Sequence, residues 1–184
     1  MYSILLIILG ISFTSGEECP KVGPPSGPFD ISQYLGSWYE IARTPSYFEN
    51  DLDCVKATYT KRNETDIRVQ NIGKNLKTGK WSSVKGDASK TDQPNWLKLS
   101  FDNRTDEFDY FIVDTDFKKY AVVFSCINKD DKAIRLGWIL SRKISLSSKI
   151  FKKAAKDLAK LGIPKSELRR TDHSKSKCKQ ESHV

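Results

Sequence analysis

The chain has 184 residues, 31 Lys and Arg against 23 Asp and Glu, and a formal charge of +8. Nine Lys and two Arg against two Asp and two Glu fall from Ser147 onward, a net of +7, so the rest of the chain is nearly neutral. A neutral body with a basic C-terminal segment argues against nucleic-acid binding and reads first as a solvated basic face. The length is one domain's worth and enough for a real core.

In chain order, residues 1–16 carry no charge and hold an apolar run from Ile4 to Leu9 that ends at small residues before Glu17. The run is shorter than the roughly 20 residues needed to span a bilayer, so it reads as a secretory signal peptide rather than an anchor. Residues 17–184 then form a single secreted, extracellular domain. Four cysteines, Cys19, Cys54, Cys126 and Cys178, fit two disulfides, and the sequence alone allows three pairings. Their spacing includes no Cys-x-x-Cys, which argues against a metal site. Sequons at Asn63 and Asn103 lie in polar stretches suited to glycan-bearing turns.

From residue 37 to residue 142 one unit repeats: a short alternating run, then a polar turn. The runs are WYEIAR, CVKATYTKR, TDIRVQNIG, WSSVKGDA, WLKLSF, FDYFIVD, KKYAVVFSC and AIRLGWILSR. Period-two alternation marks strands with one covered face. Eight of them joined by short turns predict an all-β, antiparallel up-and-down sheet, and closing it into a barrel removes its exposed edges. Parity places Val55, Ala57, Tyr59, Ile67, Val69, Asn71, Val84, Leu97, Leu99, Phe101, Leu136, Trp138 and Leu140 inside. Small residues at Ala57, Gly86 and Ala88 fit a cavity kept open. Glu40 is the one inward carboxylate, read as a buried hydrogen-bonded group.

Trp38 stands where the first strand begins, two residues after Gly36. Antiparallel closure puts the end of the eighth strand beside it, so Arg142 over the indole closes the barrel floor by cation–π attraction and by area. At the other end, Tyr47 and Phe48 sit in the loop after the first strand. There they cover a ligand, touch a lipid surface or fold back on the rim.

After Ser147 the period changes. Phe151, Ala154, Ala155, Leu158 and Leu161 recur at three and four, with Lys on the other side. This predicts an amphipathic helix over 148–161, capped by Ser147 or Ser148 and stopped by Gly162 and Pro164. Its narrow apolar stripe favours packing on the outside of the barrel over a membrane surface. The polar tail within 165–184 is expected to be held down near Cys178.

Gly36-Ser37-Trp38, then DTDFKKY, then Arg142 after GWIL resemble the three sequence blocks of the lipocalins. GSWYEIARTPSYFENDLDCVKATYT, YAVVFSC and WILSR are most similar to the branch of apolipoprotein D and the insect bilin-binding proteins. Phe117 departs from that pattern, which usually has Tyr there. The resemblance implies pairing of Cys19 with Cys126 and of Cys54 with Cys178. It also implies ligand contact at Tyr59, Asn71, Trp138 and Leu140, beside wall residues Val69, Leu97 and Leu99; for Leu140, near the floor, ordinary core packing is the better reading.

The function implied is a secreted carrier that holds a small hydrophobic ligand non-covalently: a lipid, steroid, fatty acid, retinoid, or a bilin or carotenoid pigment. No cofactor is required. The alternative is a defence or host-modulating lipocalin that works by sequestration, or by receptor or lipid-surface contact through its basic face. The sequence sets no oligomeric state. An enzyme is disfavoured because the only histidines, His173 and His183, lie in the tail and no thiolate remains if all cysteines pair.

Overall fold

The computed structural model describes residues 18–25, 28–46, 49, 51–102, 104–130 and 132–179. Residues 1–16, Tyr47, Phe48, Asn103 and His183 lie outside that set.

A short helix α1 (Ile31–Tyr34) leads into eight strands: β1 (Gly36–Arg43), β2 (Leu52–Lys61), β3 (Asp66–Asn75), β4 (Trp81–Lys90), β5 (Trp96–Phe101), β6 (Glu107–Thr115), β7 (Tyr120–Lys129) and β8 (Lys132–Ser141). Each pairs antiparallel with the next, and β1 pairs with both β2 and β8. The sheet is therefore closed, an eight-stranded up-and-down barrel. Helix α2 (Ser148–Ala159) packs outside it, the Ser147 hydroxyl accepting from the Ile150 amide at its start.

The core has two parts. Inside the barrel, Trp38, Tyr59, Val69, Leu97, Ile112 and Val123 bury one against another. Outside, the helix residues Phe151, Ala154, Ala155 and Leu158 cover Ile41, Val122, Phe124 and Ile139. The apolar stripe of α2 is thus consumed in packing, and its remaining lysines face solvent. Strand β7 is buried on both faces, which is why YAVVFSC reads as a continuous apolar run rather than an alternation.

The tail is pinned more widely than at Cys178. Strand β1 pairs with β2 only from Gly36 to Tyr39. Beyond that point a two-residue strand β9 (Arg169–Arg170) takes over, with Ala42 opposite Arg170 and Arg43 opposite Arg169. The Thr171 amide donates to the Ile41 carbonyl (3.1 Å) and the Cys54 amide to the Asp172 carbonyl (3.0 Å). Arg169 binds the Asp53 carboxylate (2.8 Å). Residues 169–173 thus fill the gap between diverging β1 and β2 and form part of the barrel wall. Their sequence is polar because they hydrogen-bond both neighbours, not because they are free.

Two disulfides close long loops: Cys19–Cys126 across 107 residues and Cys54–Cys178 across 124. No cysteine among the described residues is free.

Gly86 serves a purpose other than keeping the cavity open. A Cβ there would lie 2.2 Å from the Ser100 carbonyl oxygen and 3.0 Å from the Phe101 Cα, because β4 and β5 approach closely. Ala88 likewise packs in the inner core. Of the three small residues only Ala57 lines the cavity. Gly86→Ala is therefore expected to cost about 1–3 kcal/mol, the range for forced overpacking, read as a lower denaturant midpoint at unchanged slope.

Candidate functional site

The floor is built from the beginning of β1. Trp38 is fully buried and donates its indole N–H to the Tyr34 carbonyl (2.8 Å). The Arg142 guanidinium lies over the indole, 3.6 Å from the ring centroid. It is aimed by carbonyls from three segments: Ser37 (2.9 Å), Phe117 (3.1 Å) and Gln33 (3.0 Å). Gly36 has φ +95°, a left-handed conformation that side chains disfavour, and a Cβ would sit 3.3 Å from Arg142 Nη1. Phe117 packs against Phe29, ring centroids 5.4 Å apart.

Above the floor stand three phenols. The Tyr110 hydroxyl is 2.8 Å from that of Tyr34 and 2.7 Å from that of Tyr59. Burial pushes all three phenols up, Tyr59 to about 12. The three hydroxyls form one buried cluster, and Tyr59 and Tyr110 also line the space above.

That space is a cavity of about 310 Å³, open at the end carrying the β1–β2 and β5–β6 loops. Of the residues singled out from sequence, Tyr59, Asn71, Leu99, Trp138 and Leu140 line it, as do Val55, Ala57, Val84, Phe101 and Leu136. Val69, Leu97 and Ile67 do not; they are buried in the packed layer beneath it. Leu140 does both, packing in the core and showing its edge to the cavity. Asn63 is exposed in the β2–β3 turn, where its side-chain oxygen accepts from the Thr65 amide (2.8 Å).

The wall also contains residues outside the set singled out from sequence. Phe108, Tyr110 and Ser125 line it from β6 and β7, and Glu49 from the β1–β2 loop. Phe108 and Tyr110 were legible in FDYFIVD, where they share a face with Ile112. Ser125 was hidden because both faces of β7 are buried, and Glu49 because a loop has no period.

Glu49 belongs to a charged cluster at the upper wall. Arg43, fully buried, donates from Nη1 to the Glu40 carboxylate and from Nη2 to the Glu49 and Leu52 carbonyls. Thr171 of the C-terminal segment donates its hydroxyl to Glu40 as well. The Glu49 carboxylate accepts from the Trp138 indole N–H (3.0 Å) and lies 3.9 Å from Arg43 Nε. Burial, and then the negative charge of Glu40, push the Glu49 carboxyl up to about 7. Glu40 is thus a buried hydrogen-bonded carboxylate, and it lines the cavity too.

Among the described residues no group of three or more His, Cys, Asp or Glu is placed to hold a metal ion. His173 binds the Glu40 backbone carbonyl through Nε2 (2.6 Å), on the strap that closes the wall.

The lipocalin-like domain family matches residues 29–173. Apolipoprotein D of Rattus norvegicus is 36% identical over 133 residues, covering 67% of this chain and 68% of that protein. The Lazarillo protein of Schistocerca americana is 28% identical over 186 residues, covering 97% of this chain and 86% of its own length. Among solved structures, insecticyanin from the tobacco hornworm Manduca sexta superposes with a TM-score of 0.75 at 26% identity, over 90% of each chain. With a closed eight-stranded barrel, an outer helix, a cation–π floor and a family match over most of its length, the chain belongs to the lipocalins.

Proposed function

We propose that the protein is a secreted carrier that takes one small hydrophobic molecule, a lipid, steroid or pigment, reversibly and non-covalently into the barrel. The observation that carries this reading is the cavity itself: about 310 Å³, closed below by Trp38 and Arg142, walled by aliphatic and aromatic side chains, and open above. Burying a ligand's apolar area there yields about 25 cal/mol per Å², and the few polar groups orient it. Two disulfides support an oxidising compartment, and with it secretion. No step of covalent chemistry is assigned to any residue.

Titration with Nile red, a neutral apolar dye, tests the reading. The expected result is saturable binding of one dye per chain. In Val84→Trp, which fills the cavity from β4, affinity falls by about tenfold or more, the weight of one lost apolar contact surface. Unsaturable binding, or binding indifferent to Val84→Trp, counts against it. The visible absorption spectrum of protein purified from its own source then sorts the ligand. A band beyond about 400 nm that follows the protein marks a conjugated pigment such as a bilin or carotenoid, whose absorption the barrel's own aromatics cannot supply.

A further inference from the structure

The upper wall is unbalanced in charge. Among the described residues four charged side chains line the cavity: Glu40, Glu49, Asp109 and Arg104. Asp109 is answered by Lys98 (2.7 Å) and Arg104 by Asp106 (2.6 Å). Glu40 and Glu49 share a single guanidinium, that of Arg43, which lies behind them with most of its donors already given to Glu40 and to two carbonyls. The next cation, Arg169, is taken by Asp53 (2.8 Å) and the Leu52 carbonyl (3.0 Å). Two buried carboxyls therefore face one buried cation beside an apolar chamber, an arrangement that costs free energy unless a proton or another cation completes it.

A second observation points the same way. Ser125, only 4% exposed, lines the cavity from β7, and its hydroxyl has no partner. Its pairing position opposite Leu136 sets it one step towards the mouth from the Val123–Trp138 pair. On the facing wall the buried side-chain oxygen of Asn71 is also unpartnered. Idle buried polar groups are uncommon in folded proteins; the Asn71 oxygen can only accept, and the Ser125 hydroxyl can accept as well as donate. What this wall lacks is a positive group with several N–H donors; an ammonium carries three donors and no acceptor.

We propose that the cavity selects ligands whose apolar body ends in a protonated amine, with Glu49 and Glu40 receiving the head group, and that it discriminates against ligands of the same shape ending in a carboxylate. This rests on the carrier reading above and narrows its ligand class. A third carboxylate in this low-dielectric corner meets two of like sign, whereas an ammonium restores neutrality. The rise of the Glu49 carboxyl to about 7 gives the selection a pH sense. Above that value Glu49 is ionised and attracts the cation; below it the site is already neutralised by a proton. The titratable and charged groups around this balance are Glu40 and Arg43 of β1, the Asp53–Arg169 pair and His173 of the C-terminal strap at the seam, and Arg104 and Asp109 across the mouth.

Displacement of Nile red by dodecylamine, dodecanol and dodecanoate, each below its aggregation limit, tests the proposal, since the three share one chain and differ only in head group. At pH 8 the amine is expected to bind about tenfold or more tighter than the carboxylate, with the alcohol between. The ratio of amine to alcohol affinity shrinks on going to pH 6. In Glu49→Gln the ratio of amine to carboxylate falls to about threefold or less, each affinity being referred to the alcohol in the same variant. Equal or tighter binding of dodecanoate overturns the proposal, as does an amine preference that persists unchanged in Glu49→Gln. Should that variant not fold, the head-group order and its pH trend in the unsubstituted protein decide alone. Dye and alcohol binding without head-group order leaves the carrier reading standing and removes only the amine selection. Failure of every ligand, the dye included, removes both.

Discussion

Trp38→Ala is expected to destabilise the barrel by about 4 kcal/mol, at the upper part of the range for emptying a buried aromatic site. Three losses combine. The indole is fully buried and packs on Tyr34, ring centroids 5.1 Å apart. Its N–H bond to the Tyr34 carbonyl disappears, leaving that carbonyl to Arg142 alone (3.3 Å). The guanidinium keeps its carbonyl partners but loses the ring face beneath it, a contact worth up to about 2 kcal/mol when desolvated. The effects overlap and do not sum. For a chain of this size the melting temperature should fall by roughly 10 °C. Trp38→Phe, which keeps a ring but neither the N–H nor the full area, should lose about half as much. A loss below about 1 kcal/mol for Trp38→Ala would mean that the floor does not hold the barrel together.

Cys54→Ser with Cys178→Ser is expected to cost about 4–5 kcal/mol on the chain-entropy account of long loops. Cys19→Ser with Cys126→Ser should cost nearly the same. Their loops span 124 and 107 residues, and loop-closure entropy grows so slowly that this separates them by only about 0.1 kcal/mol. Stability therefore does not distinguish the two bonds; binding does. Cys54–Cys178 fastens the segment that fills the gap beside β1 and brings Thr171 to Glu40. Cys19–Cys126 ties the leader to the outer side of β7, away from the cavity. Under conditions where both variants are folded, dye affinity should fall several-fold when Cys54–Cys178 is missing and stay within about twofold when Cys19–Cys126 is missing. Equal effects on binding would show that the segment does not hold the Glu40 side of the cavity in place.

The difference between what the sequence disclosed and what it hid follows the range of the interaction. Alternation within a strand is local, so Val55, Ala57 and Tyr59 declared their inner face by themselves. The Trp38–Arg142 floor is distant in sequence, yet the topology of a closed barrel dictates it once eight strands are counted. Val69 and Leu97 had the right parity but the wrong height. Inward direction is set by the pleat, whereas depth in the barrel is set by strand tilt and shear, which alternation does not carry. Gly86 was read as a sign of space when it is a sign of contact, because a missing side chain looks the same in either case. Glu49 and Thr171 come from segments without a period, and only the pairing of β9 with β1, across 126 positions between Arg43 and Arg169, brings Thr171 to Glu40.

That pairing has a consequence for the order of assembly. The first strand of the barrel borders residues that emerge only after all eight strands and the outer helix have been made. Strand pairs joined by short turns can zip together as they appear, since little chain entropy opposes each closure. The upper seam beside β1 has no such neighbour until Arg169 and Arg170 arrive. A closed upper wall with both sides of Glu40 engaged is therefore a property of the finished chain, and the unfinished one holds an arginine and a glutamate beside an open slit. The upper wall is completed by the last segment of the chain to be made, not by the strands that short turns join.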